Sequence, residues 1–399
     1  MAKRTTKKTT AKKPTKKRSM DAKPNAGDAA AAQALSIDYV PMDRIIGHER
    51  AIETIDAAIA SGRLHHAWIF SGPSGIGKCT VAHAMAGVVL DPTTAAGLDG
   101  RIRPEQESDT QEKLRAGMCP DVHLVRKELA RFCSEPSVRS SKQQNIAVDV
   151  VREFLLAPAQ IRSAHAGSAM ASSVYIIDEA ELLQAPSQNA MLKLLEEPAP
   201  GVVLILVTSR EDRLLPTIRS RCQRVAFSSL TDSQMNEWKD RFLNETGTPI
   251  AMTERQTLLD FAHGAPGLAK LAIETGLHNW VDTIEPVVKQ IVSGITPIGF
   301  GNEAWSLIDD WAKSWEKSHA GASKDAANKQ AFVYLLQIIG SQLSRMLTRS
   351  IDQHDARERC LGAIELLDEA QRQVASNVQI PLAMDTWAAK AAAGTLAAV

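Results

Sequence analysis

The run Gly72-Pro-Ser-Gly-Ile-Gly-Lys78 has the residue types and spacing to hold phosphate. Glycines let successive backbone N–H groups converge on one anion, and a lysine at the end of the loop adds positive charge at the β- and γ-phosphate positions. Gly72, Gly75, Gly77 and Lys78 are therefore candidate ligands of a nucleoside triphosphate. The next position departs from the pattern, because Cys79 stands where a Ser or Thr hydroxyl normally coordinates Mg²⁺. That hard cation takes oxygen ligands, and a thiol is a poor substitute. Thr80 has the hydroxyl but lies one residue out of register, on a different helix face. Downstream, Asp178-Glu179 closes an apolar run, where an aspartate can position a metal-bound water and a glutamate can polarise an attacking one. An Asp-Glu pair by itself is common, so its weight comes from its place after a strand.

Such a loop works only between a strand and a helix, and the flanking sequence supplies both. HAWIF reads as a strand entering the glycines, and a helix is expected from Lys78 to about Leu90. Ile52, Ile55, Ile59 and Leu64 recur at helical intervals before it. DVHLV, SSVYIID and VVLILVT read as further strands, with helices over Val148 to Ile161 and Ser187 to Glu197 between them. Continuous apolar strands alternating with helices predict an α/β fold with a parallel sheet covered on both faces, spanning 41–228. Residues 91–118 are polar, punctuated by Gly and Pro, and read as an insertion without a strand-like run. A short helical segment over 229–276 carries the turn Gly264-Ala-Pro-Gly267, and 277–399 is expected to be all-helical. Phe332, Leu336, Ile339, Leu343 and Met346 mark one apolar helix face there, and Leu361, Ile364, Leu367 and Val374 another.

A chain of 399 residues exceeds a single hydrophobic core, and 44% apolar residues suits a soluble protein of two or three domains. The purest apolar run, Val202 to Val207, is six residues long, fits a buried strand and falls far short of a membrane span. The zero net charge hides an asymmetry: residues 1–23 hold ten basic side chains and one acidic, leaving 36 basic and 45 acidic in the rest. The body is thus not a basic nucleic-acid surface, and residues 1–40 read as a disordered lysine-rich tail, either a solubilising arm or a tether to phosphates. Five scattered cysteines without a C-x-x-C pair read as reduced cytoplasmic thiols. Cys119, His123 and Cys133 lack the paired spacing of a zinc site, so no metal centre and no zinc are expected.

The ten residues Asn189 to Pro198, NAMLKLLEEP, followed by Arg219-Ser220-Arg221-Cys222 and preceded by the phosphate loop, resemble the clamp-loader branch of the AAA+ ATPases. Within that branch the likeness is to the delta-prime subunits of bacterial DNA polymerase III. The resemblance is specific from Ile45 to Phe227 and looser beyond. It implies an AAA+ domain over 41–228, a small helical lid over 229–276 and a helical collar for oligomerisation over 277–399. It puts Asp178 and Glu179 at the Walker B position and Thr208 at a sensor position near the γ-phosphate, although a turn or capping role for Thr208 fits equally. It makes Arg221 an arginine finger that reaches the nucleotide of a neighbouring subunit, with Arg219 and Arg224 as surface or structural partners and Cys222 as a small buried apolar residue. Leu192, Leu194 and Leu195 would pack on the sheet, and Lys193, Glu196 and Glu197 would face a neighbour or solvent. Leu268 replaces an arginine usual in hydrolytic subunits, with only Lys270 nearby.

These departures imply a chain that binds ATP without efficient hydrolysis, with Mg²⁺ only alongside ATP. They imply work in trans beside the gamma/tau and delta subunits, the sliding clamp and primer-template DNA, in the cytoplasm and away from membranes. Two other readings stay open: a gamma/tau-type motor, and, from another class, a P-loop phosphotransferase.

Overall fold

A computed structural model of the chain describes residues 38–97, 101–140, 144–160, 169–247, 258–319, 323–349 and 354–394. The lysine-rich tail expected over 1–40 lies, up to residue 37, outside them. Each apolar run read as a strand is one, β1 (Ala67–Ser71), β2 (Val122–Val125), β3 (Ser173–Ile177) and β4 (Val202–Thr208), and a fifth strand, β5 (Gln223–Ala226), follows. All pair in parallel in the order β2-β3-β4-β1-β5. Side chains alternate between the two faces, as a strand's two-residue period demands. Trp68, Phe70, Val174, Ile176, Val203 and Ile205 enter one core, while Ala67, Ile69, Tyr175, Ile177, Leu204 and Leu206 enter the other. Both faces of the central strands β1, β3 and β4 are buried, which is why those are apolar almost throughout, while the edge strand β5 exposes Arg224.

On the first face lie α1 (Glu49–Ala60), through Ile55 and Ile59, and α2 (Lys78–Val89), through Val81, Met85 and Val89. On the second lies α3 (Ala185–Glu196), through Met191 and Leu195. It is joined there by the stretch Val148–Val151, whose continuation Arg152–Leu156 is a π turn before Ala157–Ala159. The regular helix expected over Val148 to Ile161 is thus corrected, and residue 161 lies outside the described residues. Pro158 has no N–H to give to the carbonyl four residues back, which accounts for the altered ladder beside it.

The segment 91–118 is also corrected, because it holds an antiparallel ribbon, Ala95–Ala96 with Ile102–Arg103, and a helix, Asp109–Arg115. Ser108 caps that helix by accepting from the Gln111 backbone N–H. Gln111 is buried and donates to the Gly87 carbonyl at 2.9 Å and to Asp91 at 3.1 Å, while its own oxygen accepts from the Tyr39 hydroxyl at 2.7 Å. The spacing Ser108-x-x-Gln111 is a helix-start signal that was present in the sequence.

Past the sheet come α4 (Asp232–Thr246), α5 (Pro266–Thr275), α6 (Trp280–Val292), α7 (Phe300–Ser318), α8 (Lys324–Arg349), α9 (His354–Ala375) and α10 (Ile380–Ala392). A reciprocal capping box of Thr231 and Gln234 starts α4. One apolar cluster runs through these helices from Leu230 to Ala392. Phe332, Leu336, Ile339 and Leu343 are buried in it, with Met346 packed at its margin. On α9 the expected stripe is corrected at Leu361, which is 37% exposed; Leu367 is buried, Ile364 and Val374 pack against the cluster, and Cys360, Ala363, Leu366 and Ala370 turn inward with them. Small residues set that face because α10 approaches closely. Trp387 of α10 is 2% exposed and donates its ring N–H to the Ala363 carbonyl at 3.0 Å. Its ring lies 6.0 Å from that of Phe300. Gly301 of α7 likewise lets α10 approach: its N–H meets Asp385 at 2.7 Å, and a Cβ there would lie 2.1 Å from the Pro381 carbonyl. Among the described residues, no helix is long and apolar enough to cross a membrane.

Four histidines of the α/β region, His48, His66, His83 and His123, have pKa values below the ordinary 6.5 because burial disfavours their charged form. As pH falls below that value the unfolded chain takes up protons the native chain resists, so their contribution to stability is present above about pH 6.5 and is lost as pH drops through the lower native values. The melting temperature is expected to fall as the buffer goes from about pH 7.5 to about pH 5.5. A flat or rising melting temperature over that interval in scanning fluorimetry would show that these rings are not held neutral.

Candidate functional site

The phosphate loop leaves the carboxyl end of β1, where parallel sheets present their ligand sites. Gly72 has φ 151°, and a Cβ on it would lie 2.3 Å from the Phe227 carbonyl, so only glycine lets the loop fold back over the end of β5. Gly77, at φ 103°, caps α2 and turns the loop into the helix. A cavity of about 510 Å³ opens there. Gly75, Gly77, Lys78, Cys79, Thr80, Asp178, Glu179 and Thr208 line it, so most of the residues read from the sequence are brought together. Lys270 of α5 lines it too, but its amine pairs with Asp38 at 3.2 Å. The α5 turn closes on the loop, with the Gly267 N–H donating to the Gly75 carbonyl at 2.7 Å and Leu268 packed beside it.

The polar groups of the cavity are largely engaged with one another. The Lys78 amine donates to the Gly72 and Pro73 carbonyls at 2.8 and 2.5 Å. Burial draws its pKa below the usual lysine value, with Glu181 and Asp178 opposing. Burial pushes the Cys79 thiol well up, with the Asp178 charge adding to it, so it stays protonated. Asp178 accepts from the Nε and Nη2 of Arg126, at 3.0 and 2.6 Å. Glu179 adopts a left-handed backbone, φ 53°, and pairs with Lys127 at 2.7 Å. Burial raises the Glu179 carboxyl, and Lys127 works against that rise.

Thr208 is buried and donates to Glu181 at 2.8 Å, and its oxygen accepts from the Arg210 N–H at 3.0 Å. It lines the cavity, and its side chain makes the turn that the sequence left open as one of its roles. Arg126, Lys127 and Glu181 also line the cavity and were not read from the sequence. Arg126 directly follows β2 at a strand's carboxyl end, which was the available signal.

Mg²⁺, which a phosphate loop of this type implies, does not fit this donor set. A protonated thiol stands at Cys79, and the Asp178 oxygen expected to orient a metal-bound water holds a guanidinium instead. A divalent cation at that point would meet a like charge. Among the described residues no group of three His, Cys, Asp or Glu side chains could hold a metal ion, and His123 is stacked on Tyr175 at 4.4 Å.

Arg221 does not line the cavity. It follows the one-turn helix Pro216–Arg219, and its Nη1 donates to the Thr217 carbonyl at 2.9 Å. Its Nη2 pairs with Glu196 of α3 at 2.8 Å, the two side chains being 36% and 51% exposed. Glu196, expected to face a neighbour or solvent, is thus also this arginine's partner. Leu195 is buried as expected, and Leu192 and Leu194 pack at the edge of the same core. Arg224 pairs with Glu211 at 3.2 Å, while the Nε of Arg219 is buried without a hydrogen-bond partner. Cys222 is half-buried against the core, its thiol pushed up to about 12 by burial.

A protein family described as "DNA polymerase III, delta subunit" matches residues 47–231. The "DNA polymerase III subunit delta'" of Pseudomonas aeruginosa is 30% identical over 260 residues, 63% of this chain and 70% of that one. The "DNA polymerase III subunit gamma" of Buchnera aphidicola subsp. Schizaphis graminum is 26% identical over 235 residues, 59% of this chain and 58% of its own. The delta' subunit of Bacillus subtilis is 29% identical over 215 residues, 54% of this chain and 56% of its own. The chain thus spans a little over half the length of two of these relatives. Among solved structures, the Thermotoga maritima RuvB Holliday junction branch migration motor aligns over 76% of this chain and 90% of its own at TM-score 0.41 and 15% identity, a likeness too slight to weigh.

Proposed function

The chain belongs to the bacterial DNA polymerase III clamp-loader subunits, the gamma/tau/delta/delta-prime group, and on that premise we propose that it is the member that gives an arginine in trans rather than the one that hydrolyses ATP. One observation carries this reading. The groups hydrolysis would need are tied up internally, Asp178 by Arg126 and Glu179 by Lys127, while Arg221 lies outside the cavity on a half-exposed surface. A chain so built serves as a delta-prime-type stator. It holds ATP without efficient turnover and completes the site of an adjacent gamma/tau subunit with Arg221. Its partners in this role are the gamma/tau and delta subunits, the sliding clamp and primer-template DNA, with the helices from α6 onward as the collar and α4 and α5 as the lid. The energy for opening the clamp then comes from ATP on the sister subunits.

The gamma/tau-type motor is the second reading, favoured by the retained Lys78, Asp178 and Glu179 and by the similarity to gamma subunits. The deciding experiment is DNA- and clamp-stimulated ATP hydrolysis by the reconstituted complex with Lys78→Ala in this chain alone. The rate is expected to stay within about twofold of wild type, since the lysine's charge would then serve no transferring phosphoryl group. A drop matching that from the equivalent lysine of a gamma subunit would make this chain a motor.

A further inference from the structure

The Arg126–Asp178 pair lies inside the phosphate cavity, where the reading above uses it only to explain the loss of hydrolysis. We propose that the cavity takes the phosphates of a nucleoside triphosphate without a divalent cation, the Arg126 guanidinium standing on Asp178 where the cation would stand. The inference rests on the non-hydrolysing reading of this site and goes beyond it by naming what replaces the metal.

A metal at such a site joins a strand-end carboxylate to phosphate oxygens and offsets their charge. Arg126 can do both tasks. Two of its nitrogens engage one oxygen of Asp178, and its Nη1 has no hydrogen-bond partner among the described residues. A guanidinium presents five N–H donors in a fixed plane, so one edge can hold a carboxylate while another holds a phosphate. The group is well placed for this, since its side chain is 27% exposed, lines the cavity, and has Nη2 3.9 Å from the Cys79 sulfur. Cys79 heads α2 immediately after Lys78, so the guanidinium reaches the position from which a Ser or Thr hydroxyl would have held the metal.

Lys78 completes the arrangement. Its amine rests on two backbone carbonyls and no carboxylate, so its charge remains available to an anion that replaces those neutral acceptors. The like-charged guanidinium and the soft sulfur then act together, each disfavouring Mg²⁺ at the same point. The same arrangement explains how a site can keep a phosphate loop while losing turnover: phosphate binding depends on Lys78, Arg126 and the loop N–H groups, while turnover needs the metal and a free Glu179.

ATP titrated into the full-length chain by calorimetry, once in EDTA and once in Mg²⁺, tests this. The affinity is expected to be the same within about threefold in the two buffers, and Arg126→Ala is expected to weaken the EDTA affinity about tenfold or more, the size of one charge-assisted contact. The Mg²⁺ affinity of that variant should fall less, because Asp178 is then open to the metal. If Arg126→Ala fails to fold because it strands Asp178, the double variant Arg126→Ala/Asp178→Asn removes both charges and should lose the EDTA affinity just the same. Binding that requires Mg²⁺ in the wild-type chain, or no ATP binding in either buffer, would overturn the proposal. Neither result touches the arginine-donor function, which is read separately from the hydrolysis rate of the assembled complex.

Discussion

Replacing Arg221 by alanine in this chain alone is expected to abolish hydrolysis at the one neighbouring site it serves, by about 10³-fold or more, the measured worth of a guanidinium on a transferring phosphoryl group. The overall rate of the reconstituted complex should fall by at least the share that site carries, and single-turnover hydrolysis should show one class of sites silenced. The complex should remain intact on gel filtration, because Arg221 and Glu196 are both largely surface groups and a pair of this exposure contributes at most about 1 kcal/mol. Arg221→Lys should rescue little, since an ammonium lacks the planar fork. Removing Glu196 instead should cost that site no more than about tenfold, because the carboxylate only pre-positions the arginine and the Thr217 carbonyl still holds it. A complex carrying Arg221→Ala that hydrolyses ATP at the wild-type rate would remove the trans-acting role from this residue and redirect attention to Arg219, whose Nε is buried and unpaired.

Trp387→Ala is expected to cost the helical part of the chain about 3–5 kcal/mol, the range for deleting a buried tryptophan. The ring is 2% exposed and packs in the cluster that joins α6 through α10, so its removal leaves a cavity that these helices cannot collapse without shifting together. It also removes the indole N–H that reaches the Ala363 carbonyl at 3.0 Å and ties α10 to α9. Chemical denaturation followed by circular dichroism should show the midpoint of the helical transition moved to lower denaturant with an unchanged slope. Trp387→Phe, which keeps most of the volume and loses the donor, should cost less than half as much. A loss below about 1 kcal/mol for the alanine variant would mean that the ring is not a keystone of the bundle.

The centre of the sheet was legible because both faces of β1, β3 and β4 are buried, so those strands are apolar along nearly their whole length and need no periodicity to be seen. The phosphate loop was legible because glycine spacing is a local property of the chain. The interior of the site was not. Arg126 and Asp178 are 52 residues apart in sequence, and nothing around either one announces the other. Their meeting follows from β2 and β3 lying side by side, a fact of strand order that a single sequence does not display. Glu196 and Arg221 were each noticed in their own motif, yet their contact joins the end of α3 to the turn before β5 and is again tertiary. The misread face of α9 has a different cause. Large apolar residues mark most of that face, Leu367 among them, but Leu361 falls outside it, and close helix packing adds the small residues Ala356, Cys360, Ala363 and Ala370, which no hydrophobic stripe singles out. The ordered parts of 91–118 were missed because the helix there is polar outside and held from within by hydrogen bonds to the buried Asp91 and Gln111, which no hydrophobic pattern reports.

The Arg221 guanidinium is held at two nitrogens, one on the Thr217 carbonyl and one on Glu196. A free arginine side chain carries about 2 kcal/mol of rotamer entropy, and any docking event must remove it. Here those two contacts already hold it, between the one-turn helix and α3, before any neighbour arrives. If Arg221 acts in trans as proposed, meeting a phosphate becomes an exchange of one anionic partner for another, with little side-chain freedom left to freeze. The carboxylate in the NAMLKLLEEP motif would then be a rest that keeps a long, flexible group aimed while leaving it easy to lift.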